Sequence, residues 1–95
     1  MKIEGAIWPR NVVDKIVSQH HVETHEVEEV FGNKPKFRFV EQGEREGDDV
    51  YMALGRTDAG RYLTVLFIYK KETKEALVLS TRDMARKERK QYGKK

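Results

Sequence analysis

Three arginines recur near the end of the chain at spacings that place them on one side of a helix. They are Arg82, Arg86 and Arg89, and side chains four and three residues apart are neighbours on a helical surface. A guanidinium group presents its N–H donors in a planar fork that matches the oxygens of phosphates and carboxylates. The pattern therefore indicates an anion site, although a solvated helix face followed by a Lys-rich tail has the same pattern.

Basic charge is concentrated in this same segment. From Arg82 to Lys95 there are seven basic and two acidic residues, a net charge of +5, so the preceding 81 residues contribute −2 to the total of +3. A basic excess confined to one region is typical of proteins that bind nucleic acid. No apolar run approaches the length that spans a bilayer, so we expect no membrane association.

Histidines supply the other reactive side chains, and all three lie within six residues of one another. His21 and His25 are four residues apart, with Glu28 and Glu29 following, and on one continuous helix such a group could hold zinc. The order is His-Val-Glu-Thr-His, however, and not His-Glu-x-x-His. A helix break is also predicted between the two histidines, so we predict no metal and no other cofactor.

Composition limits the architecture that must position these side chains. Charged residues make up 37% of the chain and hydrophobic residues 38%, so the core must come from a few patterned segments of one domain spanning residues 1–95. Residues 93–95 are predicted to form a flexible basic tail. The absence of cysteine excludes disulfides, and the first residues lack a signal-peptide pattern, so a cytoplasmic location is expected.

Two helices are predicted in the first third of the chain. The first runs from about Pro9 to Gln19, because apolar residues recur there at the spacing of one helical face: Val12, Val13, Ile16 and Val17. A second, shorter helix has Val27, Val30 and Phe31 as its apolar side and a left-handed stop at Gly32-Asn33. The residues before them, Lys2 to Glu4, fit either a short edge strand or a disordered start.

Four strands are predicted after Pro35. The first contains Phe37 and Phe39, and a polar loop from Glu41 to Asp49 separates it from the others, which are Val50 to Leu54, Arg61 to Tyr69 and Ala76 to Thr81. A hairpin turn from Gly55 to Gly60 joins the middle pair. Asp83 is predicted to cap a last helix.

The fold class is therefore α+β, with two N-terminal helices, a four-stranded antiparallel meander sheet and a C-terminal helix. All the helices are expected on one face of the sheet.

The order and spacing of several segments resemble the BrnT toxin family over nearly the whole chain. They are Trp8, His20-His21-Val22, Glu26-Val27 through Val30-Phe31, the hairpin from Leu54 to Arg61, and Ser80-x-Arg82 through Glu88-Arg89 to Tyr92. The resemblance implies an endoribonuclease toxin of a type II toxin–antitoxin pair, with a fold similar to RelE-like toxins. It implies RNA as substrate and a small DNA-binding antitoxin as partner, expected to be of the ribbon-helix-helix type. DNA would be contacted only through that antitoxin.

Cleavage of RNA by internal transfer needs a base, an acid and cations that stabilise charge on the phosphate. On the resemblance, His20, Arg82 and Arg86 are the catalytic candidates. The unperturbed pKa of a histidine side chain lies near neutrality and suits proton transfer, and Arg82 is predicted to bind phosphate together with the free N–H groups of a helix start. The alternatives are that His20 packs against Trp8 or caps its helix, and that the arginines pair with carboxylates, namely Asp83, Glu88 or Glu26.

Arg56, Arg89 and Tyr92 are predicted to extend the RNA-binding surface. The tyrosine would do so by stacking on a base. Arg56 is also explained as a solvated turn residue, and Tyr92 as an anchor that holds the last helix against the core.

Four positions depart from the family pattern. An acidic residue after the tryptophan, a lysine and an asparagine along the first helix, and an arginine at the start of a strand are replaced by Pro9, Val12, Ile16 and Val50. These departures leave an alternative function, a catalytically degenerate toxin-like module that binds its antitoxin or RNA without cleavage.

Overall fold

The structure, a computed structural model, describes residues 1–94 and has the α+β architecture predicted for the chain. Its elements in order are β1 (Gly5–Ile7), α1 (Arg10–His20), α2 (Thr24–Gly32), β2 (Lys36–Glu41), β3 (Val50–Arg56), β4 (Tyr62–Lys70), β5 (Glu75–Asp83) and α3 (Arg86–Gly93). The strands form one sheet in the order β1-β5-β4-β3-β2. Strands β2 to β5 make the predicted antiparallel meander, with β4 in its middle.

A fifth strand, β1, makes the sheet mixed, and the predicted four-stranded sheet is wrong in this respect. Ile7 pairs with Leu77 of β5 in parallel register, and the Glu4 N–H donates to the Lys74 carbonyl at 2.8 Å. The strand lies outside the predicted Lys2 to Glu4. Three residues carry too little alternation to be read as a strand, and the pairing that defines them comes from a distant part of the chain.

The main core lies between α1, α2 and one face of the sheet. Ile16 of α1 and Val27 of α2 are fully buried against Val65 and Phe67 of β4. Phe31 adds an edge-to-face contact with Phe67, with ring centroids 5.3 Å apart. Burying each large apolar side chain of this kind contributes roughly 1.5–3 kcal/mol, so the periodicity seen in the sequence is what attaches both helices to the sheet.

Two glycines shape the hairpin between β3 and β4. Gly55 lies inside β3, and a Cβ there would approach the Val30 side chain to 2.8 Å, so glycine is required for α2 to pack closely. The turn is shorter than predicted: the Thr57 N–H donates to the Arg61 carbonyl at 2.9 Å, and Gly60 has a φ of +92°. This turn sets where β4 begins.

Helix α3 packs on the opposite face of the sheet from α1 and α2, so the expectation of all helices on one face is wrong. Its Glu88 accepts a hydrogen bond from Thr64, and its Tyr92 contacts Tyr62. These two β4 residues alternate with the core-facing ones and so point to the other side. Arg82, directly opposite Thr64 in β5, shares that face.

The start of α3 also differs from the prediction that Asp83 caps it. Asp83 is the last residue of β5, and the Met84 N–H extends the ladder by donating to the Tyr62 carbonyl at 3.1 Å. The residue before α3 is Ala85, whose N–H donates to the Glu88 carboxylate at 2.8 Å. The strand persists because its pairing with β4 satisfies backbone groups that an earlier helix would leave free.

A β-bulge divides β5. Ser80 pairs with Leu66 and Val78 pairs with Phe67, which leaves Leu79 as an extra residue. An extra residue reverses the alternation of side chains beyond it. Asp83 therefore shares the face of α1 and α2, and Arg82 shares the face of α3.

The helix ends are partly as predicted. Helix α1 agrees with its predicted bounds to within one residue and is followed by His21, which is left-handed with a φ of 54°. The left-handed stop predicted at Gly32-Asn33 is wrong, because Gly32 still belongs to α2 and Asn33 has a φ of −101°. The left-handed residue there is Lys34, with a φ of 51°.

The predicted tail at residues 93–95 meets the described structure at two positions. Gly93 is the last residue of α3, and the Lys94 carbonyl accepts a hydrogen bond from the Lys36 side chain. Lys95 lies outside the described residues. The assignment of residues 1–95 to a single domain stays a prediction.

Candidate functional site

Arg61, the residue directly before β4 at the hairpin, organises the region around the end of α1. Its guanidinium donates to the carbonyls of His20 at 2.9 Å and His21 at 2.7 Å. It also contacts the Asp83 carboxylate at 2.8 and 3.3 Å and the Glu26 carboxylate at 3.3 Å. All five donors of the side chain are used, so Arg61 joins α1, α2 and β5 and has no donor left for a ligand.

His20 lies beside this network. It is the half-buried last residue of α1. The pKa of the Asp83 carboxyl is held below its usual range, chiefly by the hydrogen bonds from Arg61 and further by the positive charges of Arg61 and His20, while burial opposes the shift. The imidazole is thus near an ionised carboxylate at the end of β5, in a position fixed through its own backbone carbonyl.

Arg82 is paired within the chain, as the ion-pair alternative for it describes. Its guanidinium binds the Glu88 carboxylate in a bidentate manner at 2.7 and 2.8 Å. Glu88 also accepts from Thr64 and from the Ala85 N–H. The pKa of Glu88 is lowered to about 2, first by the hydrogen bonds from Arg82, with burial acting in the opposite direction.

The Glu88 carboxylate lies where the sequence predicted a bound phosphate. The prediction combined Arg82 with the free N–H groups at a helix start, and both kinds of donor are present here at one anion. That anion is the chain's own carboxylate. Arg82 therefore fixes the start of α3, and direct contact with a phosphate would require Glu88 to release it.

The three predicted RNA-binding residues come together around Tyr62. The Arg89 guanidinium lies over the Tyr62 ring at 4.1 Å from its centroid, and that of Arg56 lies at 5.2 Å. The half-buried Tyr92 meets the same ring edge-to-face at 5.9 Å. Within residues 1–94 neither guanidinium has a carboxylate partner. The cluster of Arg56, Tyr62, Arg89 and Tyr92 is called the tyrosine–arginine cluster below.

Further basic residues surround this cluster. Arg86 is exposed at the start of α3 and lines a shallow concavity with Arg89 and Lys90. From the β2 side, Lys36 lies 5.9 Å from the Tyr92 ring and Arg38 donates to the Gln91 side chain. The resulting surface is positively charged and has a half-buried aromatic pair at its centre, which is the composition of single-stranded nucleic-acid sites.

The remaining histidines lie on exposed positions. His21 follows α1 and His25 belongs to α2, so the predicted helix break between them is confirmed. Within residues 1–94 no group of three or more histidine, cysteine or acidic side chains is arranged to hold a metal ion. In the same part of the chain, no helix is long and apolar enough to cross a membrane.

The four departures from the family pattern lie at structural positions. Val12 and Ile16 are buried in the core under α1, 8% and 0% exposed. Pro9 precedes the first residue of α1, and Val50 is the half-buried first residue of β3. At Val12 and Ile16 the apolar side chains replace potential site chemistry with core packing.

Sequence reasoning missed Arg61 and Tyr62, the two residues around which the polar groups gather. Arg61 stood only at the edge of a predicted strand, and Tyr62 was part of an apolar run. A signal was present in the hairpin, because the residues that leave a tight turn face those that enter it. Their partners in β5 and α3 depend on the bulge at Leu79, which no local pattern marked.

The family comparison can now be set beside this geometry. The family model described as ribonuclease toxin, BrnT, of type II toxin-antitoxin system matches residues 8–88. That range holds His20, Arg61, Arg82 and the first part of α3. A search of curated proteins found no match. Because the family model covers most of the sequence, the chain belongs to the BrnT family of ribonuclease toxins of type II toxin–antitoxin systems.

Proposed function

We propose that this chain is the toxin of a type II pair and cleaves RNA by metal-independent acid/base chemistry, with arginines contacting the phosphates. The observation that carries the proposal is the division among its arginines. Arg61 and Arg82 are paired with carboxylates, whereas Arg56, Arg86 and Arg89 have no such partner within residues 1–94. Unpaired guanidinium groups are the ones free to bind an external anion.

Stacking on Tyr62 supports phosphate binding by Arg56 and Arg89. The two guanidinium groups lie 5.2 and 4.1 Å from the ring centroid and have no carboxylate partner within residues 1–94, so their N–H groups are available for a phosphate. Burial of the ring edge against Tyr92 holds the ring in place. Tyr92 is also the candidate for stacking with a base, since its ring borders the same surface.

His20 is the candidate for proton transfer. A ring nitrogen takes the proton of the ribose 2′-OH, the 2′ oxygen attacks phosphorus, and the bond to the 5′ oxygen breaks. The leaving oxygen receives a proton, which the imidazolium can return. Arg86, the first residue of α3, would stabilise charge on the phosphate. Arg82 contributes by fixing the start of α3 through Glu88.

The test compares two histidines on neighbouring helices. His20→Ala is expected to lower the rate of RNA cleavage by the purified protein at least about 100-fold, because one acid/base group is worth that much, and to relieve growth arrest on expression without an antitoxin. His25→Ala, exposed on α2, is the matched control and should leave both unchanged. The proposed ribonuclease activity would be excluded if the wild-type protein left cellular RNA intact and its expression were harmless.

A second function, the degenerate toxin that binds without cleaving, has its own support. Two of the departures, Val12 and Ile16, are core residues, and Arg82 is neutralised by Glu88. Binding of the antitoxin together with absent RNA cleavage would favour this function. Cleavage by the purified chain that is lost in His20→Ala would rule it out.

A further inference from the structure

The sheet face that carries α3 is covered by that helix at one end only. At the other end, side chains of four adjacent strands form an apolar row on that face. The register places Ile7 beside Leu77, Leu77 beside Ile68, and Ile68 beside Val50. None of these four belongs to the buried core, and Ile7 is 37% exposed. Met52 and Leu66, paired with each other, lie between this row and α3. These six residues are called the apolar face.

Acidic side chains border the apolar face at the end away from α3. A shallow depression of about 720 Å³ begins there at Ile7. Lys70 is neutralised by Asp48 at 2.8 Å. Residues 41–49, which are the last residue of β2 and the loop that follows it, carry five acidic residues and one arginine, a net charge of −4. The remaining charged side chains that line the depression are Glu46, Lys71, Glu72 and Glu75.

We infer that the apolar face is the docking surface for the antitoxin, and that the antitoxin segment bound there is apolar on one side and basic at one end. Apolar patches bordered by polar residues are typical of protein interaction sites, and the acidic border would attract a basic segment. The same border would repel RNA. The inference rests on the proposed function in that it takes the antitoxin as the partner.

The dimensions of the apolar face fit a helix. Four strands at their usual spacing span roughly 15 Å, which is about three turns of α-helix. An amphipathic helix that lies across strands with its apolar side down is a common mode of recognition. A DNA-binding antitoxin would supply the basic residues.

Position also connects this docking surface with inhibition. Arg38 lies next to the part of the apolar face nearest α3. It pairs with Met52 in the sheet and donates to Gln91 of α3. A helix bound on the apolar face would therefore lie against the basic surface around the tyrosine–arginine cluster. An antitoxin helix bound there would sterically exclude RNA from this basic surface. It would not contact His20, which lies on the opposite face of the sheet.

The experiment measures affinity of the full chain for the antitoxin encoded beside it, by titration calorimetry. Ile7→Lys and Glu46→Lys should each raise the Kd at least about tenfold, because each places a positive charge where a basic segment docks. The matched control is Phe39→Lys, an exposed aromatic residue of edge strand β2, 59% exposed and paired with the core-facing Tyr51. It should bind as the wild type does. Thermal unfolding confirms that each variant is folded.

The outcomes separate this inference from the proposed function. Weakened antitoxin binding by the folded Ile7→Lys variant, with RNA cleavage in the absence of antitoxin unchanged, supports both. The docking surface is overturned by equal affinities in all variants, by no binding of the wild type, or by a loss of affinity in Phe39→Lys alone. RNA cleavage is measured separately and still tests the proposed function. If Ile7→Lys instead changes the affinity for single-stranded RNA, the apolar face belongs to RNA and the inference fails. Antitoxin binding that depends on the apolar face, without any RNA cleavage, supports the inference and contradicts the proposed nuclease activity.

Discussion

At the scale of single residues, Arg61 shows how a side chain whose donors are all used can position the residue proposed for proton transfer, His20. Its five donors hold two carbonyls at the end of α1 and two carboxylates, and its side chain is only 28% exposed. The sequence predicted His20 as a catalytic candidate, but no sequence pattern connected it with Arg61, because the connection runs through backbone carbonyls. Backbone acceptors have no sequence signature.

Arg61→Ala is expected to lower the free energy of unfolding by about 2 kcal/mol, because it removes the hydrogen bonds that the guanidinium donates to Asp83 and to the carbonyls of His20 and His21. Urea unfolding followed by circular dichroism measures the change. Arg56→Ala removes an exposed arginine that has no carboxylate partner within residues 1–94, and it should alter stability by less than about 0.5 kcal/mol. Similar values for the two variants would contradict the role given to Arg61.

At the scale of elements, α3 is attached by a polar contact more than by apolar burial. None of its residues is fully buried, and its firmest contacts are those of Glu88 with Arg82, Thr64 and the helix start. The sequence predicted a helix here from its charge pattern. It placed the start too early, because Arg82 and Asp83 suit a helix start as well as a strand end, and only pairing with β4 decides between them.

This attachment predicts a dependence on pH. The pKa of Glu88 is lowered from 4.5 to about 2, so its stabilisation is complete above pH 4.5 and is lost as the pH falls toward 2. We expect a loss of about 2 kcal/mol over that range, less than the full shift because Arg82 is 40% exposed and water screens the pair.

Glu88→Gln should show a smaller loss between pH 5 and pH 2 in urea unfolding at each pH. Glu28→Gln, an exposed residue of α2 with no hydrogen bond or ion pair within residues 1–94, serves as the control and should follow the wild type. Parallel curves for wild type and Glu88→Gln would show that α3 is not held by this carboxylate.

At the scale of the whole molecule, charge is separated along the sheet. Residues 41–49 carry −4 and the segment from Arg82 to Lys95 carries +5, within a total of +3. Local charge counts predicted the basic end, and the periodicity of apolar residues predicted the α+β class. Local patterns of this kind are visible in the sequence. They could not predict that β1 completes the sheet or that α3 covers the second face, since these depend on contacts between distant segments.

The separation predicts how RNA binding responds to salt. If Arg56, Arg86 and Arg89 neutralise three phosphates, the logarithm of the binding constant should fall with the logarithm of salt concentration with a slope of about −2 for single-stranded RNA. Fluorescence anisotropy with a labelled RNA and the His20→Ala variant, which prevents cleavage, measures the slope. Changing Arg89 to Ala in that background should reduce its magnitude by about 0.7, and Lys15→Ala on α1 should not. A slope unaffected by Arg89 would place the RNA elsewhere.

The extra residue at Leu79 has a consequence for the length of β5. It shifts the alternation of side chains in β5 by one position. Alternate side chains before it face the core, and beyond it Arg82 lies against Glu88 and Asp83 against Arg61. Removing one residue here would restore regular pairing and leave every later side chain opposite its present partner. Adding one would enlarge the surplus and strain both ion pairs at once. This strand should therefore tolerate a one-residue deletion at Leu79 better than a one-residue insertion.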